Sequence, residues 1–208
     1  MRRSKADQYS PWKDGFLFVG NQLALDLLNT RPVQSGQPTE LIPTFTAVLR
    51  WFQVAGLLSA EEVTNFEREW RQSNLGRRFV EDVVSLREKL RQEVLRWEHG
   101  QAVQRCSIEE LNRLMAEHPM RTRLKNTGRK PSMELYFEHQ RPEDLFAPLA
   151  HSAALLFVHT NRERVRKCGQ CVLHFLDTSK KGTRRWCSMK LCGNRLKVAA
   201  YAGRQRSG

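Results

Sequence analysis

The chain has 208 residues, 40% of them hydrophobic, and carries a formal net charge of +13. This length suits one large domain, or one domain with a small module. No apolar run is long enough to span a membrane, and no apolar stretch follows the basic N-terminus, so we expect neither a transmembrane helix nor a secretory signal. A cytoplasmic location is therefore expected, where clustered cysteines are more often metal ligands than disulfides.

The first part of the sequence is typical of a strand followed by helices. FLFV is a short apolar run that suits a strand, and LALDLLNT suits a short helix that ends before Pro32. After a loop that contains Pro and Gly, TFTAVLRWFQVAGLL has the apolar spacing of a helix with one buried face. The strand covers 16–19, the helices 23–30 and 44–58, and the loop 31–40.

Two capping-box patterns predict where later helices begin. Ser59 is followed by Glu62, and Ser107 is followed by Glu110 in the same way. A Ser and a Glu at this spacing can each accept a free backbone N–H at a helix start. Between the two patterns, an amphipathic run predicts a long helix over 76–98.

The pattern then changes. Two short runs around a polar centre with Gly and Pro predict a β-hairpin over 120–139. An apolar, Ala-rich run predicts a core helix over 144–161. We therefore expect an α+β protein, with a mainly helical N-terminal domain at 10–160 and a small second domain at 161–208.

Four of the five cysteines lie close together in the second domain. Cys168 and Cys171 form a CxxC knuckle, and Cys187 and Cys192 follow after fifteen residues. Two pairs at this separation predict one tetrahedral Zn²⁺ site with four thiolate ligands. A redox pair is the main alternative for CxxC, but it leaves the second pair unexplained and no thioredoxin-like βαβ pattern surrounds it. Cys106 stands alone and is not interpreted as a nucleophile.

The residues around the cysteines predict the fold of this domain. The segment 172–186 alternates and turns at SKKG, which predicts a β-hairpin between the cysteine pairs. The segment 193–206 predicts a helix that starts at the last cysteine. A knuckle, a hairpin and a helix that bears the last ligand form the treble-clef arrangement. His174 is interpreted as a surface or hairpin residue, because four cysteines already complete a zinc shell.

Positive charge is concentrated in the same domain. Residues 161–208 carry a net +11, against +2 for the first 160. This asymmetry indicates a polyanionic partner, most often nucleic acid, and the predicted helix has a polar, basic stripe that suits a major groove. Arg195 phases toward the zinc side, so a structural role and a nucleic-acid contact both stay open. The candidate nucleic-acid contacts are Lys180, Lys181, Arg184, Arg185, Lys190, Asn194, Lys197 and Arg204.

A polar cluster interrupts the apolar first helix. Asp26, Asn29 and Thr30 share one helix face by their spacing. They are candidates for a ligand pocket in the N-terminal domain. A structural role, in which they cap the helix and bind the following loop, stays open beside it.

The stretch RKCGQCVLHFLDTSKKGTRRWCSMKLCGNRLK resembles the CGNR zinc-finger family, whose name is the motif at 192–195. FLFVGNQLALDLLNT is similar to the start of the ABATE domain that precedes this finger. The resemblance implies a bacterial two-domain protein, in which the N-terminal domain binds an unknown ligand and a treble-clef finger binds DNA. It implies a stress-related transcription regulator, and RNA binding is also considered for the family.

The residues themselves bear on three possible functions: an enzyme, a DNA-binding protein and an RNA-binding protein. An enzyme is not expected, because the sequence has no P-loop, no GxGxxG after a strand and no HExxH motif. Among nucleic acids, duplex DNA is favoured over RNA, because only Tyr201 would offer an aromatic ring on the basic stripe for base stacking. RNA binding and a protein-docking role are the alternatives. A homodimer is a further expectation, since a single short helix would bind DNA weakly.

Overall fold

The structure is a computed structural model that describes residues 11–126, 128 and 130–194. The described part contains helices together with four two-stranded antiparallel sheets, which confirms the α+β class. The helices are α1 (Leu23–Leu28), α2 (Phe45–Val54), α3 (Ala60–Trp70), α4 (Asn74–Glu98), α5 (Arg105–Glu117) and α6 (Phe146–His159). None of the described helices is both long and apolar enough to cross a membrane.

The strands pair as neighbours along the chain. The pairs are β1 (Trp12–Lys13) with β2 (Phe16–Leu17), β3 (Val33–Gln34) with β4 (Gln37–Pro38), β5 (Arg121–Asn126) with β6 (Pro131–Tyr136), and β7 (Val165–Lys167) with β8 (His174–Leu176). The third pair is the hairpin predicted over 120–139. The first pair contains the strand predicted at 16–19, and β3 with β4 lie in the predicted loop.

The helix starts follow local capping, with one correction. At α3 the Ser59 hydroxyl accepts the Glu62 N–H, and the Glu62 carboxylate accepts the Ser59 N–H, as predicted. The start predicted at Ser107 is wrong, because α5 begins two residues earlier, at Arg105. There the buried Glu93 carboxylate of α4 accepts the Gln104 N–H at 3.0 Å, so a contact from another helix replaces the capping box.

The main core lies between the helices. α6 contacts both α1 and α5, and it buries the apolar residues that its composition predicts. Aromatic rings contribute edge-to-face pairs. The ring centroids of Phe79 and Phe146 lie 5.4 Å apart, and those of Trp51 and Phe52 lie 5.1 Å apart. Such pairs add to the stabilisation that burial of the rings already provides.

A buried arginine ties the first loop to the core. Arg87 of α4 is 1% exposed and donates two hydrogen bonds to Glu40, at 2.7 and 2.6 Å. It also donates to the Thr30 hydroxyl at 2.9 Å. Burial alone would raise the pKa of Glu40, but the hydrogen bonds and charge of Arg87 outweigh it and lower that pKa. The pair therefore gives the buried Arg87 charge a partly buried carboxylate partner within the chain.

A second, smaller core joins the N-terminal segment to the cysteine-rich domain. Leu17 and Val19 pack against the buried cysteines, together with Leu173 and Phe175. Between the backbones, the Leu176 N–H donates to the Gly20 carbonyl at 2.8 Å. The residues just before α1 therefore belong to the packing of the cysteine-rich domain. That the segments 10–160 and 161–208 fold independently stays a prediction.

The hairpin predicted between the cysteine pairs is wrong. β8 pairs with β7, in the register Val165–Leu176, Arg166–Phe175 and Lys167–His174, so the hairpin encloses the first pair of cysteines. The Asp177 carboxylate explains the difference, because it accepts the backbone N–H groups of Ser179 and Arg184. These bonds close the SKKG segment as a loop, so the residues after it do not pair with β8.

A buried carboxyl shapes the turn before α1. Asp26 is 8% exposed, and its Oδ1 accepts the Gly20 N–H at 2.7 Å. A side chain at position 20 would clash, since a Cβ there would lie 2.8 Å from both the Asp26 nitrogen and the Leu25 Cβ. Burial raises the pKa of Asp26 to about 7, although the hydrogen bonds from Gly20 and Val19 oppose the shift.

The raised pKa of Asp26 predicts a pH dependence of stability. Because the folded pKa lies above the unfolded value, the contribution of Asp26 is fully favourable below about pH 4 and is lost as pH rises to about 7. We expect the loss to reach at most about 4 kcal/mol over this window. Denaturant titrations of wild type and Asp26→Asn measure it. The variant should lose this part of the pH dependence, and an unchanged profile would contradict the assignment.

Removing the metal tests how far the two cores depend on each other. We expect a chelator to leave most of the helical circular dichroism, because the helical core does not include the cysteines. The segment around Leu17 and Val19 should lose its protection from hydrogen exchange, since its packing partners are the zinc ligands and their neighbours. Loss of all helical signal would show that the two cores unfold as one unit.

Candidate metal centre and its basic surroundings

The first two cysteines lie at the turn of the β7–β8 hairpin. Cys168 follows β7 directly, and its N–H donates to the Leu173 carbonyl at 2.8 Å, which closes the knuckle. The Gly169 N–H donates to the Arg185 carbonyl at 3.1 Å and ties the knuckle to the segment before the second pair. Gly169 also lets this segment approach, because a Cβ there would lie 3.1 Å from the Trp186 ring.

The second pair of cysteines is positioned by a helical turn, Met189–Gly193. Cys187 precedes the turn and Cys192 lies within it, and both are buried. The Ser188 side chain accepts the Lys190 N–H at 3.2 Å, and its carbonyl accepts the Cys192 N–H at 3.0 Å. A capped turn therefore fixes the spacing of the last two thiols.

The four cysteine sulfurs form a compact cluster. All the Sγ atoms lie within 4.8 Å of one another, and Cys187 Sγ is 3.7 Å from both Cys171 Sγ and Cys192 Sγ. A tetrahedral site with Zn–S bonds of about 2.3 Å requires sulfurs about 3.8 Å apart. The cluster fits zinc, so Cys168, Cys171, Cys187 and Cys192 form one zinc site, as predicted.

The charges of the thiols show why the site needs a cation. The hydrogen bond from Cys187 lowers the pKa of the Cys171 thiol to about 5, so one thiolate forms readily. Burial, and then the charge of Cys171, raise the pKa of Cys192 to about 12. Several thiolates cannot share this volume by themselves, and a divalent ion relieves both the repulsion and the cost of burial.

Asp177 organises the loop after the hairpin. It is fully buried and accepts N–H groups from Ser179 at 2.9 Å and Arg184 at 2.8 Å. Burial would raise its pKa, but the hydrogen bonds from these two residues outweigh burial and hold the pKa at about 2. Arg166 lies close by, with its Nε 3.9 Å from an Asp177 oxygen. The carboxylate therefore stays charged and holds the loop at any physiological pH.

Three arginines point into this loop. Arg164 donates to the carbonyls of Asp177 and Ser179, at 3.0 and 2.8 Å, and Arg166 donates to the Gly182 carbonyl at 2.8 Å. Arg184 donates to the carbonyls of Trp186 and Cys187 and lies over the Phe175 ring at 4.4 Å. The sequence does not separate these residues from outward-facing cations, because a basic run looks the same in both cases.

The predicted nucleic-acid contacts fall into four groups. Lys180, Lys181 and Arg185 are exposed, and none of the three has a carboxylate partner within the described residues. Lys190 and Asn194 are exposed on and after the last helical turn. Arg184 is only half exposed and donates inward, as described above. Lys197 and Arg204, with Arg195, Tyr201 and most of the predicted helix over 193–206, lie outside the described residues.

The polar cluster of α1 is used within the chain. Asn29 makes a reciprocal pair of hydrogen bonds with the His174 backbone, at 2.8 and 2.9 Å. Thr30 donates to the Leu27 carbonyl and accepts from Arg87, and Asp26 binds Gly20. The three residues are buried, but each binds different partners within the chain. A ligand site formed by them stays a prediction.

His174 is separate from the cysteine cluster. Its backbone binds Asn29, and its Nε2 lies 3.3 Å from Glu98 Oε1 at the end of α4. It is 2% exposed. His174 therefore connects β8 to the helical core, which agrees with its interpretation as a hairpin residue.

Matched cysteine variants test the metal assignment. We expect wild type and Cys106→Ser to bind one zinc per chain, because Cys106 is exposed and remote from the cluster. Cys187→Ser should lose most of the metal, together with a folding contribution on the order of 10 kcal/mol that a structural zinc supplies. Metal analysis of the purified proteins measures the stoichiometry. Full zinc content in Cys187→Ser would contradict the site.

Comparison with known families agrees with this architecture. Residues 164–205 match the CGNR zinc finger, and residues 21–160 match the ABATE family, described as "Putative stress-induced transcription regulator". No curated protein matches the chain. The ABATE match covers more than half of the sequence. The chain therefore belongs to the ABATE family and carries a CGNR zinc finger after its helical part.

Proposed function

We propose that this protein is a zinc-dependent, DNA-binding transcription regulator, whose finger presents a basic surface to duplex DNA. The main support is a set of exposed cations near the zinc site: Lys180, Lys181 and Arg185. None of the three has a carboxylate partner in the described part of the chain. Phosphates attract such side chains, and their neutralisation releases condensed counterions. The zinc site itself has a structural role, because four cysteines leave no open position for chemistry.

The loop that carries these cations is held from inside. Asp177 and the inward arginines bind its backbone, so the exposed side chains project from a fixed frame. A rigid frame loses less conformational entropy when it binds than a flexible basic tail does. This supports a specific binding surface over a basic surface that only keeps the protein soluble.

Duplex DNA is favoured over single-stranded RNA. Readers of single strands usually offer exposed aromatic rings for base stacking. Phe175 is fully buried under Arg184, and Trp186 is half-buried between Gly169 and Gly193. Asn194 is exposed at the start of the predicted reading helix, where an amide can bind adenine edges in the major groove.

The helical part is proposed as the sensing part of the regulator. Asn29 and the Gly20 carbonyl bind β8 directly, so a ligand that shifts α1 would also shift the hairpin that bears the first two zinc ligands. Allostery requires two states with different contacts at each site, and these bonds supply a physical link between the parts. The identity of the ligand is left open by this proposal.

Salt dependence of binding tests the proposed function. We expect log K for a random duplex to fall linearly with log salt concentration, and Lys181→Gln to reduce the slope by about 0.9. Arg113→Gln is the matched control, since this exposed α5 residue pairs with Glu117 at 2.7 Å, outside the finger. Fluorescence anisotropy over a salt series gives the slopes.

Two outcomes would contradict the proposal. Tight, salt-dependent binding to single-stranded RNA without duplex binding would favour the RNA alternative. Binding to neither nucleic acid would favour a protein-docking role for the basic surface. Zinc content and circular dichroism of each variant are checked first, so that a folding defect is not mistaken for a lost contact.

A further inference from the structure

A basic cleft lies where the helical part meets the finger. It is bounded by the end of α4, the turn before β7, β7 itself and the segment before the second cysteine pair. Five of its lining residues are cations and two are acidic. The lining cations are Arg162, Arg166, Lys167, Arg184 and Arg185, and the acidic residues are Glu98 and Glu163.

The cations of the cleft divide into two classes. Arg166 and Arg184 donate to backbone carbonyls of the finger, as described above. By contrast, Arg162, Lys167 and Arg185 are exposed, and none of them has a carboxylate within salt-bridge distance among residues 11–126, 128 and 130–194. Three uncompensated charges thus surround one open cleft, and their mutual repulsion is relieved by an anion.

The two acidic residues bear on the ligand. Glu98 is turned toward His174, with 3.3 Å between its Oε1 and the imidazole Nε2. Glu163 is exposed and makes no ion pair in the described chain. Glu163 repels anions, whereas the three exposed cations around the cleft together attract a polyanion that contacts several of them at once.

We infer that this cleft binds the phosphodiester backbone of nucleic acid and forms a second contact beside the Lys180–Lys181 loop. The inference rests on the proposed function and extends it to Arg162 and Lys167. Arg185 belongs to both surfaces, because it lines the cleft and follows the loop within four residues of Lys181. The phosphodiester backbone therefore passes from the Lys180–Lys181 loop onto the segment that joins α6 to the first cysteine pair.

This placement puts one cation of the cleft beside the end of the helical part. Arg162 follows α6 and its guanidinium lies near Gly100, just beyond α4. Lys167 is the last residue of β7, next to the zinc ligand Cys168. A movement of α4 relative to β7 would move the Gly100 turn beside the Arg162 guanidinium and thus change how this cation meets phosphates.

Charge variants of the cleft provide the test. In the full-length zinc protein, Arg162→Gln and Lys167→Gln should each reduce the slope of log K against log salt by about 0.9 on a random duplex. Glu163→Gln should raise the affinity, because it removes a rim carboxylate. Arg113→Gln and Glu117→Gln are the matched controls on α5, and both should leave duplex binding unchanged.

The outcomes separate this inference from the proposed function. If Lys181→Gln reduces the slope and the two cleft variants do not, the cleft inference is wrong and the proposed function stands. If wild type binds no nucleic acid, both fail.

Inorganic phosphate is the second probe. If Lys167→Gln abolishes saturable phosphate binding but leaves duplex binding unaffected, the cleft binds a small anion and the inference is wrong. If Lys167→Gln loses zinc, Lys167→Met replaces it, because this change also removes the charge and keeps most of the side-chain length.

Discussion

The finger depends on one electrostatic constraint, which is that four sulfurs share a buried volume. Their Sγ atoms lie within 4.8 Å of one another, and burial together with the charge of one thiolate keeps the pKa of Cys192 near 12. A divalent cation removes this conflict by neutralising the thiolates where they stand. The knuckle, the capped turn and the small core around Leu17 and Phe175 all pack against these cysteines, so their order follows from the metal.

Around the zinc site, arginine has two roles that its position in the sequence does not reveal. Arg164, Arg166 and Arg184 bind backbone carbonyls of the loop after β8, and Asp177 binds the N–H groups of the same loop. The planar guanidinium, with five donors, suits several carbonyls at once, whereas lysine cannot bridge them in the same way. The lysines of this loop remain outside. The exposed lysines of the finger therefore project from a loop whose backbone is held by Asp177 and the three arginines.

The sequence predicts features that short-range chemistry controls, and it fails where a distant residue intervenes. The zinc ligands follow from the cysteine spacing, and the start of α3 follows from Ser59 and Glu62, since each depends on neighbours along the chain. At Ser107 the same capping pattern fails, because Glu93 of α4 binds Gln104 instead. The finger hairpin was misplaced for the same kind of reason, since Asp177 closes a loop where alternation predicts a strand.

The polar residues of α1 show the same limit at the functional level. Asn29, Thr30 and Asp26 share a helix face, which leaves a ligand pocket and a structural role equally open. In the fold, Asn29 and Thr30 each bind a partner that lies far away in sequence, His174 and Arg87, and Asp26 binds the Gly20 N–H. No local pattern reveals the distant partners, because they become neighbours only when α4 and the finger pack on α1.

The packing of β8 on α1 also restricts how the finger can move relative to the helical part. Asn29 satisfies both the N–H and the carbonyl of His174, and buried backbone groups that lose their partners cost roughly 1–3 kcal/mol each. Sliding β8 along α1 would break both hydrogen bonds together. α1 and the β7–β8 hairpin therefore move as one body unless new partners replace these bonds. The turn at Gly20, which binds Asp26 on one side and Leu176 on the other, restricts the same motion. α1 and the zinc knuckle are therefore connected by direct contact through β8.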